Sequence, residues 1–172
     1  MAKLIRHNRV VEDDWTLLPA SANAVDAAAQ PRVIVPLALW RSDDGSLRAR
    51  GDVGVWLGPA DDPELIAADT AHLPVIAIAF PQFGDGRGFS TGRLLRERHR
   101  FEGELRAFGD VFQDQLFFLA ECGFDAFEVR IGLDPDQELR GLAAFTRTYT
   151  HGLQHPRPWF RDRTSPPRHS ES

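Results

Sequence analysis

Short apolar runs alternate with helix-like patterns along most of this chain. The clearest run is PVIAIAF at 74–80, which is apolar at successive positions, as expected of a parallel strand buried on both faces. The same pattern predicts four further core strands, at 33–35, 53–57, 104–108 and 126–130. Strands that alternate with crossovers are typical of βα units and therefore of a parallel sheet.

The segments between these strands carry helix start and stop signals. They predict helices at 36–48, 63–72, 91–99, 111–122 and 135–149. Pro63 suits the first turn of the second helix, and Ser90 is a favourable N-cap for the third. Asp110 is expected to open the fourth helix, which Gly123 ends. SDDGS at 42–46 is a breaker that is expected to split the first helix.

These elements predict an α/β fold with a parallel sheet of about five strands. Glu104 and Arg106 would point to one face of a central strand, and barrel interiors tolerate polar side chains near the mouth. One alternative is therefore an incomplete (β/α) barrel, and the other is an open three-layer sandwich.

The chain is expected to divide into three parts. Residues 3–18 read as a short β-ribbon with a polar turn at His7-Asn8, and an Ala-rich linker follows. We expect a ribbon and linker at 1–32, an α/β core domain at 33–150 and a disordered tail at 151–172, where proline and charge replace the apolar pattern.

Composition and charge exclude several classes of protein. A net charge of −5 argues against a nucleic-acid partner, since phosphate binding requires a basic face. No apolar run approaches the roughly 20 residues of a membrane helix, and the start lacks a signal-peptide pattern. The single Cys122 excludes an intrachain disulfide and fits a reducing compartment. The six histidines form no metal-ligand pattern. We expect a soluble, cytoplasmic protein without a structural metal.

The loop FPQFGDGRGFS at 80–90 is the strongest candidate for chemistry. Its alternate glycines permit positive φ and close backbone approach, and a helix follows whose N-terminus favours an anion. Arg87 adds a planar bidentate donor for an oxyanion. The loop predicts an anion site built from Gly86, Arg87, Gly88 and Ser90. The alternative is a tight turn in which Asp85 and Arg87 pair with each other.

Ligands of parallel α/β proteins bind at the carboxyl ends of the strands. If the strands at 74–80 and 104–108 are neighbours, the 80–90 loop and Asp110 open onto the same edge. Arg106, Asp110 and Gln115 are then further candidates for anion binding, and Asp85 and Asp114 are candidate acid–base groups. For Asp114 and Arg106, structural ion pairs are the alternative.

Residues 80–129 resemble the bacterial family known as domain of unknown function 934. The resemblance is dense over FPxFxDGRGxS, LRxR, GELRAxGDVxxDQ and GFDAF, and it extends more loosely back to Val33. It implies a part in sulfite reduction, within sulfur assimilation, as an oxidoreductase. The positions carried over from the family's motifs are Asp85, Gly86, Arg87, Gly88, Ser90, Leu95, Arg96, Arg98, Arg106, Gly109, Asp110, Asp114 and Gln115.

The residues limit what this resemblance can mean. One cysteine cannot ligate an iron–sulfur cluster, and no flavin or nicotinamide fingerprint is visible, so the cofactor stays unknown. Three hypotheses follow. The chain is an accessory protein that serves a sulfite reductase subunit and binds a small anion; or it is a small enzyme acting on a phosphate- or sulfur-oxyanion-bearing metabolite; or it is a structural interaction module.

Overall fold

The computed structural model describes residues 3–6, 9–82 and 84–128. The strands are β1 (Lys3–Arg6), β2 (Arg9–Glu12), β3 (Thr16–Leu17), β4 (Val33–Pro36), β5 (Val53–Leu57), β6 (Val75–Phe80), β7 (Glu104–Gly109) and β8 (Ala126–Glu128). The helices are α1 (Ala24–Ala28), α2 (Leu37–Ser42), α3 (Arg87–Glu97) and α4 (Gln113–Glu121), with a 3₁₀ turn at Pro63–Ile66.

All eight strands belong to one sheet, in the order β2-β1-β8-β7-β6-β5-β4-β3. Strands β3 to β8 are parallel, whereas β1 is antiparallel to both of its neighbours. The expected number of about five strands is therefore wrong. The described sheet has six parallel strands, because the two-residue β3 was too short to give a pattern, and the N-terminal ribbon adds two more.

The sheet is strongly curled, and the chain connection itself requires this. Strand β2 lies at one edge and β3 at the other, yet only residues 13–15 separate them. Four residue steps span at most about 14 Å. Eight strands laid flat would place the edges about 34 Å apart. No pairing between β2 and β3 occurs among the described residues, so the sheet is curled but does not close into a barrel.

The two faces of the sheet have different partners. The helices cover one face, where buried side chains such as Val55, Ile78 and Leu105 pack with Leu95 and Leu116 in the main core. The strap, residues 13–15, crosses the opposite, concave face. A smaller apolar cluster lies there, formed by Ile34, Val75 and Ala77 with Trp15, Leu17, Trp56 and Phe108. These two cores explain why a parallel strand such as β6 is apolar on both of its faces.

Helix boundaries differ from expectation where tertiary contacts decide them. The 19–32 segment contains α1, which Asn23 caps by accepting from the N–H groups of Val25 and Asp26. The expected 63–72 helix is reduced to a 3₁₀ turn followed by irregular turns. The expected helix at 135–149, the last two residues of the strand at 126–130 and the tail at 151–172 lie outside the described residues. Within the described ranges, no helix is both long and apolar enough to cross a bilayer.

Candidate functional site

Strands β6 and β7 are neighbours, so the loops that follow them leave the same edge of the sheet. Phe80 is paired with Gly109 at the ends of the two strands. The Asp110 N–H donates to the Phe80 carbonyl oxygen at 2.6 Å. Gly109 has φ +101°, and a Cβ there would lie 2.6 Å from that same oxygen. Glycine is thus required for the chain to turn this close to β6.

Asp85 and Arg87 form a bidentate ion pair beside the N-terminus of α3. Arg87 Nε donates to Asp85 Oδ1 at 2.9 Å, and Arg87 Nη2 donates to Oδ2 at 2.7 Å. Oδ1 also accepts from the Arg87 backbone N–H at 3.2 Å. The hydrogen bond from Arg87 holds the pKa of the Asp85 carboxyl below its usual value, so Asp85 is ionised at neutral pH. The Arg87 side chain is 64% exposed, which leaves its outer N–H groups facing solvent.

Helix α3 begins at Arg87, so Ser90 is not its N-cap. Gly86 is the N-cap, and the Asp85 carboxylate binds the first free N–H of the helix. Ser90 is exposed within the first turns. The earlier start is explained by Gly88, where a Cβ would meet the Phe80 ring at 2.5 Å. Only a residue without a side chain lets this turn of α3 pack on β6.

The glycines of the loop therefore have separate functions. Gly88 and Gly92 allow α3 to approach Phe80 and Phe124, respectively. Gly84 has φ +94°, which makes the turn after β6, and Gly86 lies in open space. Helix packing thus accounts for Gly88 without a ligand. The positive φ of Gly84 makes the turn before Asp85, whereas Gly86 has an ordinary helical φ of −77°.

Arg106 lies away from this turn, on the concave face of β7. Its side chain is 1% exposed. It donates from Nη1 to Asp13 Oδ2 at 2.7 Å and from Nε and Nη2 to Glu104 Oε1 at 3.0 and 2.8 Å. Arg6 Nε lies 2.6 Å from the other oxygen of Glu104. These four residues, Arg6, Asp13, Glu104 and Arg106, form what we term the concave-face cluster.

The remaining predicted residues lie near the carboxyl edge but not in one pocket. Asp110 is half-buried where β7 ends. Helix α4 begins at Gln113 rather than after Asp110, because Asp110 continues the contact of β7 with Phe80. Asp114 is exposed in its first turn, and the Gln115 side-chain oxygen accepts from the Phe112 N–H at 3.3 Å. A structural ion pair was the alternative for Asp114 and for Arg106. Arg106 forms such pairs, whereas none is found for Asp114 among the described residues.

The sequence did not predict the hydrogen-bond partners of two arginines, Arg106 and Arg96. Asp13 gave no signal beyond the acidic EDDW run, since its partner lies 93 residues away. Arg96, which the sequence identified only as one of the family's motif positions, is half-buried. It donates to the carbonyls of Phe101, Gly103 and Gly123 and to Asp125, tying α3 to the segments before β7 and β8.

Burial also changes the pKa of two other side chains, Glu128 and Cys122. Burial raises the pKa of Glu128, with Arg106 acting in the opposite direction. Burial likewise raises the pKa of the Cys122 thiol, which disfavours a thiolate nucleophile there. Among the described residues, no group of three His, Cys, Asp or Glu side chains is arranged to hold a metal ion.

Comparison with known proteins places the chain in a family. A search of curated proteins finds no match. The sequence model of the family described as "Bacterial protein of unknown function (DUF934)" matches residues 54–160, which is more than half of the chain. That range includes β6 to β8, all but the first residue of β5, the Asp85–Arg87 pair and Arg106. The chain therefore belongs to the DUF934 family of bacterial proteins.

Proposed function

We propose that this chain is an accessory protein of assimilatory sulfite reduction that binds a small oxyanion at the 84–87 turn. Membership of DUF934 is consistent with this, and the sulfite assignment follows from what the motif resemblance implies. In this proposal the chain holds or presents the anion, or docks through it to a sulfite reductase subunit.

The observation that carries the proposal is the Asp85–Arg87 pair at the start of α3. Asp85 uses two of the five guanidinium N–H groups, so three remain directed away from the pair. A guanidinium oriented in this way is suited to bidentate binding of a sulfur or phosphorus oxyanion. The site also lies at the carboxyl edge of central strand β6, where parallel α/β folds place their ligands.

The same pair argues for binding rather than catalysis. A general acid must be protonated near working pH, whereas Arg87 lowers the pKa of Asp85. Asp114 is exposed in the first turn of α4 and forms no ion pair with Arg87 or Arg106 among the described residues. Asp85 is therefore better suited to orient Arg87 than to exchange protons with a substrate.

A second candidate function is a structural interaction module. It is favoured by the fact that Arg87 and Arg106 are both already paired with carboxylates of the chain. Under this alternative, Arg87 contacts an acidic group of a protein partner, and no small anion binds.

Thermal unfolding with sulfite, sulfate and phosphate separates the two candidates. A ligand present at one hundred times its dissociation constant adds about 2.7 kcal/mol of stability. We expect a rise in Tm with sulfite that Arg87→Ala abolishes. Arg93→Ala, which removes another exposed arginine of α3, serves as the matched control and should keep the rise. If no anion raises the Tm of the natural chain, the oxyanion proposal is wrong, and the interaction module is favoured.

A further inference from the structure

A second concave feature lies at the opposite end of β6 and β7 from the 84–87 turn. It is a cavity of about 380 Å³ at the amino ends of these strands. One wall comes from the segment before β6, with Thr70 and Leu73, and the other from the segment before β7, with Arg100, Glu102 and Gly103. A volume of this size is in the range of small-molecule sites.

The base of this cavity is held rigidly by backbone contacts. A Cβ at Gly103 would lie 2.7 Å from the Pro74 carbonyl oxygen and 2.8 Å from that of Leu73, so only glycine allows the two walls to meet. The Glu104 N–H donates to the Pro74 oxygen at 2.9 Å, and Arg96 Nη1 donates to the Gly103 oxygen at 2.9 Å. A preformed wall reduces the ordering cost of binding.

Two buried polar side chains belong to the walls. Thr70 Oγ1 donates to the Ala67 carbonyl oxygen at 2.9 Å, so it is satisfied. The His99 side chain is 8% exposed, and its Nε2 forms no hydrogen bond with the described residues; the nearest carboxylate, Glu64 Oε1, lies 3.6 Å away. A buried polar atom without a hydrogen bond is unfavourable. His99 lines the cavity, so a polar molecule bound there lies beside this imidazole.

The rim carries one charge of each sign. Arg100 and Glu102 are both exposed at the cavity, and neither forms an ion pair within the described part of the chain. The backbone of Arg100 has φ +52°, in the left-handed region that residues other than glycine rarely adopt. A strained backbone persists only where the surrounding structure holds it, and such residues are concentrated at functional sites.

We propose that this cavity binds a small α-amino acid or a metabolite of the same zwitterionic class. Its carboxylate binds Arg100, and its ammonium group binds Glu102. A simple anion is disfavoured by Glu102 and a simple cation by Arg100, so the pair of charges selects a molecule that carries both. This inference does not depend on the oxyanion site, which lies at the other edge of the sheet.

Nuclear magnetic resonance titration of the full chain tests the assignment. The probes are L-alanine, L-alaninamide, which lacks the carboxylate, and propionate, which lacks the ammonium group. Arg100→Gly removes the guanidinium while glycine adopts the positive φ freely, so this variant is expected to fold. Glu102→Gln removes the negative charge, and Arg93→Ala on the outer face of α3 is the control.

L-Alanine is expected to shift the amide signals of Thr70, Leu73 and Gly103. Each single-charge probe and each rim variant should bind about tenfold more weakly, as expected for the loss of one charge-assisted hydrogen bond. The control should bind as the natural chain does. Equal binding of propionate and L-alanine, unchanged binding in Arg100→Gly, or no shift of these signals at millimolar L-alanine would each overturn the proposal.

Discussion

Asp13 and Arg106 form a buried ion pair, in which Arg106 Nη1 donates to Asp13 Oδ2 at 2.7 Å. Asp13 belongs to the strap that joins the two edges of the sheet. Arg106 lies on β7, a strand in the middle of the sheet. The pair therefore attaches the strap to the concave face. Asp13 Oδ1 also accepts from the Trp15 N–H, which orients the strap for the apolar contacts of Trp15.

Removing Asp13 should destabilise the fold. Asp13→Ala leaves Arg106 with one carboxylate in a buried site, and breaking such a pair costs about 3–5 kcal/mol. Urea unfolding measures the loss. Asp14→Ala is the control, because Asp14 is 42% exposed and its ion pairs with Arg6 and Arg32 are worth less than about 1 kcal/mol. Equal losses in the two variants would show that the buried pair does not hold the strap.

Adding a methyl group at Gly88 should separate α3 from β6. Gly88→Ala places a Cβ against the Phe80 ring, and overpacking of this kind costs about 1–3 kcal/mol. Gly86→Ala has open space, so it should change the free energy of unfolding by less than about 0.5 kcal/mol. Gly88→Ala combined with Phe80→Leu should lose less stability than the sum of the two single changes. Strict additivity would contradict the contact.

Arg96 should contribute more to stability than any exposed arginine of α3. Arg96→Met removes donors from three backbone carbonyls and from Asp125, and partly buried acceptors left unpaired cost about 1–3 kcal/mol each. Chemical denaturation of Arg96→Met should therefore show a loss of several kcal/mol in total. Arg93→Ala, which breaks an exposed pair with Glu97, should cost about 0.5 kcal/mol at most. A loss as small as that of Arg93→Ala would mean that Arg96 does not tie these segments.

Asp52 should titrate well below an ordinary aspartate. Hydrogen bonds from Arg50 lower its pKa to about 2 from 3.8, and the Arg32 N–H contributes further. Because the folded-state pKa is lowered, the stabilising contribution is present above pH 3.8 and is lost as the pH falls toward 2. Carbon-detected titration of the Asp52 carboxyl should show this midpoint, and Arg50→Ala should return it toward 3.8. A midpoint near 3.8 in the natural chain would contradict the pair.

The strands were largely predictable because their signal is local. β5 matches its expected bounds, and β4, β6 and β7 differ by one residue at an end, since runs apolar on both faces suit buried parallel strands. The start of α3 was not predictable, because it depends on Gly88 packing against Phe80. The curl of the sheet depends on the strap and on the pairing of Asp13 with Arg106 across 93 residues, which no periodicity reveals.

The candidate site was predictable in its position but not in its contacts. Adjacent β6 and β7 bring the 84–87 turn and Asp110 to one edge, as strand topology implied. Arg106 lies on β7, where a ligand-binding residue would also be expected. Its side chain is instead buried in ion pairs on the face of the sheet opposite the main core. Sequence alone could not distinguish the two, because burial and ion pairing depend on residues distant along the chain.

Growth on sulfite tests the central claim most directly. In the bacterium that encodes this chain, deletion of its gene should slow growth when sulfite is the sulfur source and leave growth on cysteine unchanged. A gene carrying Arg93→Ala should restore growth, whereas Arg87→Ala should not, provided that both variants are equally stable and abundant. Normal growth of the deletion strain on sulfite, or full restoration by Arg87→Ala, would contradict an accessory role that depends on the Arg87 site.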